Sequence, residues 1–107
     1  MNGIPYLSPD ETREFIDTHP YTVILDIRTA REHREQRIPG SINLDFFELS
    51  PRSIGWLLPD KSRSVLVYCR AGLHSRSAVQ MLRRCGYNAI DIGSVHDWQG
   101  NFEGSLI

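Results

Sequence analysis

The clearest pattern along the chain is a series of short apolar runs separated by segments of helical periodicity. Val23-Ile24-Leu25-Asp26-Ile27 and Ser64-Val65-Leu66-Val67-Tyr68 are rich in β-branched residues, which predicts buried strands. Ser41–Leu44 and Ala89–Ile92 are shorter runs of the same kind. Between them stand helix starts. Ser8 can cap a helix, with Pro9 at its first position and Glu11 completing a capping box; Phe15 and Ile16 then face the core, and the helix stops before Pro20. Thr29 and Glu32 form a second capping box ahead of a charged turn through Glu35. Ile38-Pro39-Gly40 reads as a turn, and Asp45–Leu49 and Ile54–Leu58 as short helices. Ser75–Arg84 places Ala78, Met81 and Leu82 on one face and arginines at its end, with Gly86 where a left-handed helix stop is expected. Val95–Gly100 is read as a terminal helical turn carrying Trp98.

Strands alternating with helices predict an α/β fold: a parallel sheet with helices on both faces. In such sheets the ligand site lies beyond the carboxyl ends of the strands, which directs attention to the residues after Tyr68.

Length and composition narrow the function more than the fold. The 107 residues fit one domain, 1–107, and 40% apolar with 23% charged residues is an ordinary globular balance. A formal charge of −1 leaves no electrostatic footprint for nucleic acid or an acidic membrane, so any preference for anions must come from a local site. No apolar run approaches the ~18 residues that cross a bilayer. Met1–Ser8 lacks the basic-then-apolar pattern of a secretory signal, which points to the cytoplasm. Two cysteines are too few for a disulfide framework, and in a reducing compartment both would be free thiols.

One of those thiols stands out. Cys69 directly follows the strongest strand signal, then come Arg70-Ala71-Gly72-Leu73-His74, and Ser75 opens a helix. Three effects converge on its sulfur. The loop's backbone N–H groups can curl around it, with Gly72 allowing the unusual dihedrals needed. The helix N-terminus presents unpaired N–H groups and partial positive charge. Arg70, His74 and Arg76 are close in sequence. All three favour the thiolate, the nucleophilic form, and the same cradle suits a persulfide anion or an anionic donor, with Ser75 as N-cap and hydroxyl donor.

At these residues the sequence resembles the rhodanese family. Cys69-Arg70-Ala71-Gly72-Leu73-His74-Ser75 matches the length of the family's cysteine loop; Leu25-Asp26-Ile27-Arg28-Thr29 with Glu32 is similar to its Asp-Val-Arg element; Arg37-Ile38-Pro39-Gly40-Ser41-Ile42-Asn43 to its Ile-Pro-Gly-Ala element; and Gly86-Tyr87, Gly93 and Trp98 to its late elements. The resemblance spans about residues 7–100, in order. It implies a rhodanese-like fold with a central five-stranded parallel sheet. It also implies a thiosulfate sulfurtransferase: sulfane sulfur moves from thiosulfate or a persulfide donor to Cys69, then to cyanide or a thiol acceptor. The enzyme alternates between free and persulfide forms without metal or organic cofactor. Relay to a partner protein uses the same chemistry. Three positions depart from the family pattern: His74 stands where Arg is frequent, Ser94 replaces a Gly and Arg37 a His. At His74 the positive charge then depends on pH.

Two rival functions fit the residues less well. Cell-cycle phosphatases of this fold have a loop one residue longer, ending on Arg; that position is Ser75 here, and Arg76 comes a step too late. Non-catalytic binding modules of the family typically lack the cysteine, which is present here.

The remaining polar and aromatic residues carry blander expectations. Asp26 and Arg28 are expected to support the site, the carboxylate pairing with a nearby basic residue. Cys85, ten residues past Ser75, sits roughly 15 Å along the helix and cannot pair with Cys69. His33 and Glu32 are expected on a solvated face rather than in a metal site, His19 in an exposed turn, and His96 as a distant candidate for the loop. Phe46, Phe47, Trp56 and Trp98 default to core packing, with Trp56 the first choice for a partly exposed pocket wall.

Overall fold

Residues 3–105 are described by a computed structural model; Met1 and Asn2, within the N-terminal stretch read above, lie outside the described residues. The elements run α1 (Pro9–Thr18), β1 (Val23–Asp26), α2 (Ala30–Glu35), β2 (Ile42–Asn43), α3 (Pro51–Leu57), β3 (Val65–Cys69), α4 (His74–Arg84) and β4 (Ala89–Ser94), with 3-10 turns at Phe46–Glu48 and Val95–Asp97. The strands form a parallel sheet in the order β2-β1-β3-β4, so the two most apolar runs, β1 and β3, are the inner pair.

Among the described residues, the five strands implied by the family resemblance become four. The fifth place, outside β4, is taken by the chain before α1, reduced to one bridge between Tyr6 and Asp91. Leu7 N–H donates to the Asp91 carbonyl at 3.0 Å and Asp91 N–H to that of Pro5 at 2.9 Å. Pro5 has no N–H to continue the ladder, and Ser8 already caps α1.

Alternation along the strands sorts the core into two layers. Leu25, Val65, Val67 and Cys69 pack with Ile54 and Leu58 at α3 and with Ala78, Val79 and Leu82 of α4. Ile24, Leu66, Tyr68 and Ile92 face the other way, against Phe15 and Ile16 of α1 and against Ile38. Helices therefore cover both faces. Among the described residues, no helix is long and apolar enough to cross a membrane.

The helix starts differ in a way that matters for the site. α1, α2 and α3 each begin with a complete capping box, Ser8/Glu11, Thr29/Glu32 and Ser50/Ser53. α4 begins after Leu73 with no side-chain cap at all. At the other end Gly86, at φ +93°, provides the expected left-handed stop.

Candidate active site

Cys69 is the last residue of β3, at the carboxyl end of the sheet, where parallel α/β folds place their ligands. Its side chain lies on the α4 face and the residue is 4% exposed, yet it forms part of the lining of an open pocket of about 650 Å³. The chain leaves β3 through Arg70 and Ala71, reverses at Gly72 and enters α4. Gly72 has φ +82°, a region costly for any side chain, and this turn aims its amide back at the sulfur: Gly72 N–H donates to Cys69 Sγ at 2.9 Å. Among the described residues it is the one amide that reaches the sulfur, so the expected ring of amides reduces to one bond plus the uncapped start of α4. The loop is fastened to β4 by Ser94, whose hydroxyl donates to the Arg70 carbonyl.

Of the residues predicted for the loop, Arg70, Ala71, Leu73 and His74 line the pocket with Cys69, and so does Arg28. Gly72 contributes its amide from behind. Ser75 is not the cap: α4 starts one residue earlier, at His74, and Ser75 is fully buried inside its first turn, its hydroxyl turned to the Gly72 carbonyl at 3.5 Å. Arg76 is exposed and lies outside the lining. His96 is also exposed and away from the pocket.

The aromatic wall is not the expected one. Trp56, 88% exposed, faces a separate depression with Ser50 and Arg52. Trp98 packs on the opposite face of the sheet. Phe46 and Phe47 line the Cys69 pocket instead. The Phe46 ring lies parallel to His74, centroids 4.3 Å apart, and Phe47 meets the same imidazole edge-on at 5.7 Å. The stack fixes the plane of the ring at the head of α4.

Beneath the pocket is a buried polar cluster centred on Asp26, which has no exposure. Its carboxylate accepts from the Arg28 guanidinium at 2.8–3.2 Å, from the Arg28 amide at 2.9 Å and from the Tyr68 hydroxyl at 3.0 Å. It also pairs with His33 Nδ1 at 2.9 Å. Arg28 further donates to the Gln36 carbonyl, and Tyr68 Oη receives the Ile38 amide and bonds Ser41. The basic partner expected for Asp26 is Arg28. His33, by contrast, is not on a solvated face: the last turn of α2 directs it inward onto Asp26. Burial raises the Tyr68 hydroxyl to about 12, reinforced by the Asp26 charge. Burial would lower the Arg28 guanidinium, but its bond to Asp26 and that carboxylate's charge outweigh this and raise it.

Together these features define a class: open parallel α/β proteins that present a strand-end thiol beside an uncapped helix start. Likeness to known proteins makes it specific. The rhodanese-like domain matches residues 8–101, and the chain belongs to that family. It is 33% identical over 67 residues to the thiosulfate sulfurtransferase PspE of Escherichia coli, covering 63% of this chain and 64% of that one. It is 28% identical over 110 residues to the adenylyltransferase and sulfurtransferase MOCS3 of Arabidopsis thaliana, covering 89% and 24%. The chain thus spans less than two thirds of these relatives' lengths. A solved rhodanese with anions from E. coli superposes with TM-score 0.69 at 27% identity, covering 78% of this chain and 99% of the other. A thiosulfate sulfurtransferase from Pseudomonas aeruginosa superposes with TM-score 0.80 at 27% identity, covering 94% and 20%.

Proposed function

We propose that this chain is a sulfurtransferase that carries sulfane sulfur as a persulfide on Cys69. The observation that carries the reading is the Gly72 amide donating to Cys69 Sγ beside a helix start without a side-chain cap. A backbone donor and a helix N-terminus both favour negative charge on sulfur, in the thiolate and in the persulfide formed from it. In the first half-reaction the thiolate attacks the outer sulfur of thiosulfate or of an organic persulfide. The donor's S–S bond breaks and its electron pair leaves with sulfite or with the donor's thiolate. In the second half-reaction cyanide or a thiol takes the outer sulfur, and the pair returns to Cys69 Sγ. The sulfur is carried on the protein, so the cycle calls for no metal or organic cofactor. The same surface chemistry serves small molecules or a partner protein in a sulfur relay, and the cytoplasm, where thiols stay reduced, suits it.

Intact-mass measurement after treatment with thiosulfate, and separately with cysteine persulfide, tests the reading. The wild type is expected to gain one sulfur atom, removable by cyanide with release of thiocyanate, and Cys69→Ser to gain none. A wild-type chain left unmodified by both donors overturns it and favours a non-catalytic binding role.

A further inference from the structure

The pocket above Cys69 is not the cationic trap that the arginines of the sequence suggest. Each arginine in its lining faces a carboxylate: Arg28 pairs with Asp26 at 2.8 Å, Arg31 with Glu35 at 3.6 Å and Arg70 with Glu32 at 4.0 Å. A fourth carboxylate, Asp45, belongs to the lining and has no cationic partner among the described residues. Its Oδ1 accepts only the Phe47 amide, at 3.0 Å, where it caps the 3-10 turn. In and beneath the pocket, four carboxylates therefore stand against three guanidinium groups, with the imidazoles of His74 in the lining and of His33 on Asp26 the groups that can add positive charge. Asp45 adjoins Phe46 and Phe47, so a free carboxylate and an apolar wall lie side by side on the same flank. The volume, about 650 Å³, is that of pockets that hold organic ligands rather than one small anion.

Resting on the sulfur-transfer reading, we propose that the sulfur acceptor is a small organic thiol bearing an ammonium group, its ammonium on Asp45 and its stem along Phe46 and Phe47. The acceptor thiol loses its proton to solvent. Its thiolate attacks the outer sulfur of the Cys69 persulfide, the inner–outer S–S bond breaks, and the pair remains on Cys69 Sγ, which the Gly72 amide already addresses. The acceptor departs as its persulfide, with no net oxidation or reduction. An acceptor bearing only a carboxylate meets the unpaired Asp45 with no unpaired guanidinium in the lining to offset it.

The test uses enzyme first loaded with sulfur and verified by mass, so failure to load tells against sulfur transfer itself and not against the acceptor assignment. Loaded enzyme is mixed in single turnover with cysteine, cysteamine, 3-mercaptopropionate or 2-mercaptoethanol, and each rate is expressed per thiolate. Cysteamine and cysteine are expected to react fastest and 3-mercaptopropionate slowest. Asp45→Asn keeps an oxygen to cap the turn and removes the charge; it is expected to lower the cysteamine to 3-mercaptopropionate ratio about fivefold, the upper range for one partly exposed ion pair. 2-Mercaptoethanol, which bears neither ammonium nor carboxylate, is the internal reference: relative to it, the cysteamine rate falls and the 3-mercaptopropionate rate rises in Asp45→Asn. A wild-type 3-mercaptopropionate rate equal to that of cysteamine, or a cysteamine to 3-mercaptopropionate ratio unchanged in Asp45→Asn, overturns the proposal.

Discussion

The amide of Gly72 and the sulfur of Cys69, three residues apart, lie 2.9 Å from each other, and the positive φ of Gly72 brings them there. A Cβ on residue 72 would sit 3.9 Å from the Gly93 and Ser94 backbone, so the constraint is conformational and not one of space. Gly72→Ala should therefore fold while straining the turn by about 1–2 kcal/mol. We expect a melting temperature several degrees lower and at least tenfold slower sulfur uptake from thiosulfate, because the amide swings off the sulfur. A stopped-flow or quenched mass assay beside a thermal melt separates the two effects.

Asp26 holds three side chains at once, and all of them lose a charged acceptor in Asp26→Asn. Breaking a buried ion pair on one side costs about 3–5 kcal/mol, and the urea midpoint should fall accordingly. Leu25→Ala, also fully buried but apolar, gives the comparison: it destabilises as well, but should leave the Arg28 side of the pocket and its donor affinity unaltered.

Tyr68 sets an alkaline limit. Its hydroxyl titrates near 12 in the fold against 10.0 ordinarily, so the unfolded chain releases this proton first as pH rises. The stability this group contributes is whole below pH 10 and falls away as pH rises through about 12, by roughly 3 kcal/mol at most. Tyr68→Phe, less stable at pH 8 through the lost bonds to Asp26, Ile38 and Ser41, should lose less than wild type between pH 9 and 11.5 in parallel denaturation curves.

His74 combines a stack with a charge, and His74→Phe separates them. The ring still lies on Phe46, so the melting temperature should change little. Thiosulfate uptake at low salt should drop up to about fivefold, as expected for one exposed charge, and added salt should shrink the difference.

The sequence carried its local signals openly. Capping boxes at Ser8 and Thr29, the apolar runs of β1 and β3 and the stop at Gly86 depend on neighbours a few residues away, and each was readable as written. What escaped depends on distant partners. His33 looked solvated because its charged neighbours are; its contact is Asp26, reached only when α2 folds back on β1. The stack of Phe46 on His74 joins segments 28 positions apart, and no periodicity encodes it. Ser75 imitates a cap because it is a hydroxyl after a glycine loop, whereas Gly72 ends the reversal early enough for the helix to start at His74. Arg70 suggested an anion site because its carboxylate partner, Glu32, is supplied by α2, 38 positions away.

Leaving α4 without the hydroxyl or carboxylate that opens the other three helices has a thermodynamic consequence. The first-turn amides gain their best partner only when negative charge arrives beside Cys69, so the sulfur-laden protein should melt several degrees above the bare one, about 1.5 kcal/mol if one charged hydrogen bond is added. Heat resistance then becomes a ledger of sulfur occupancy, readable by simple thermal shift without following any product.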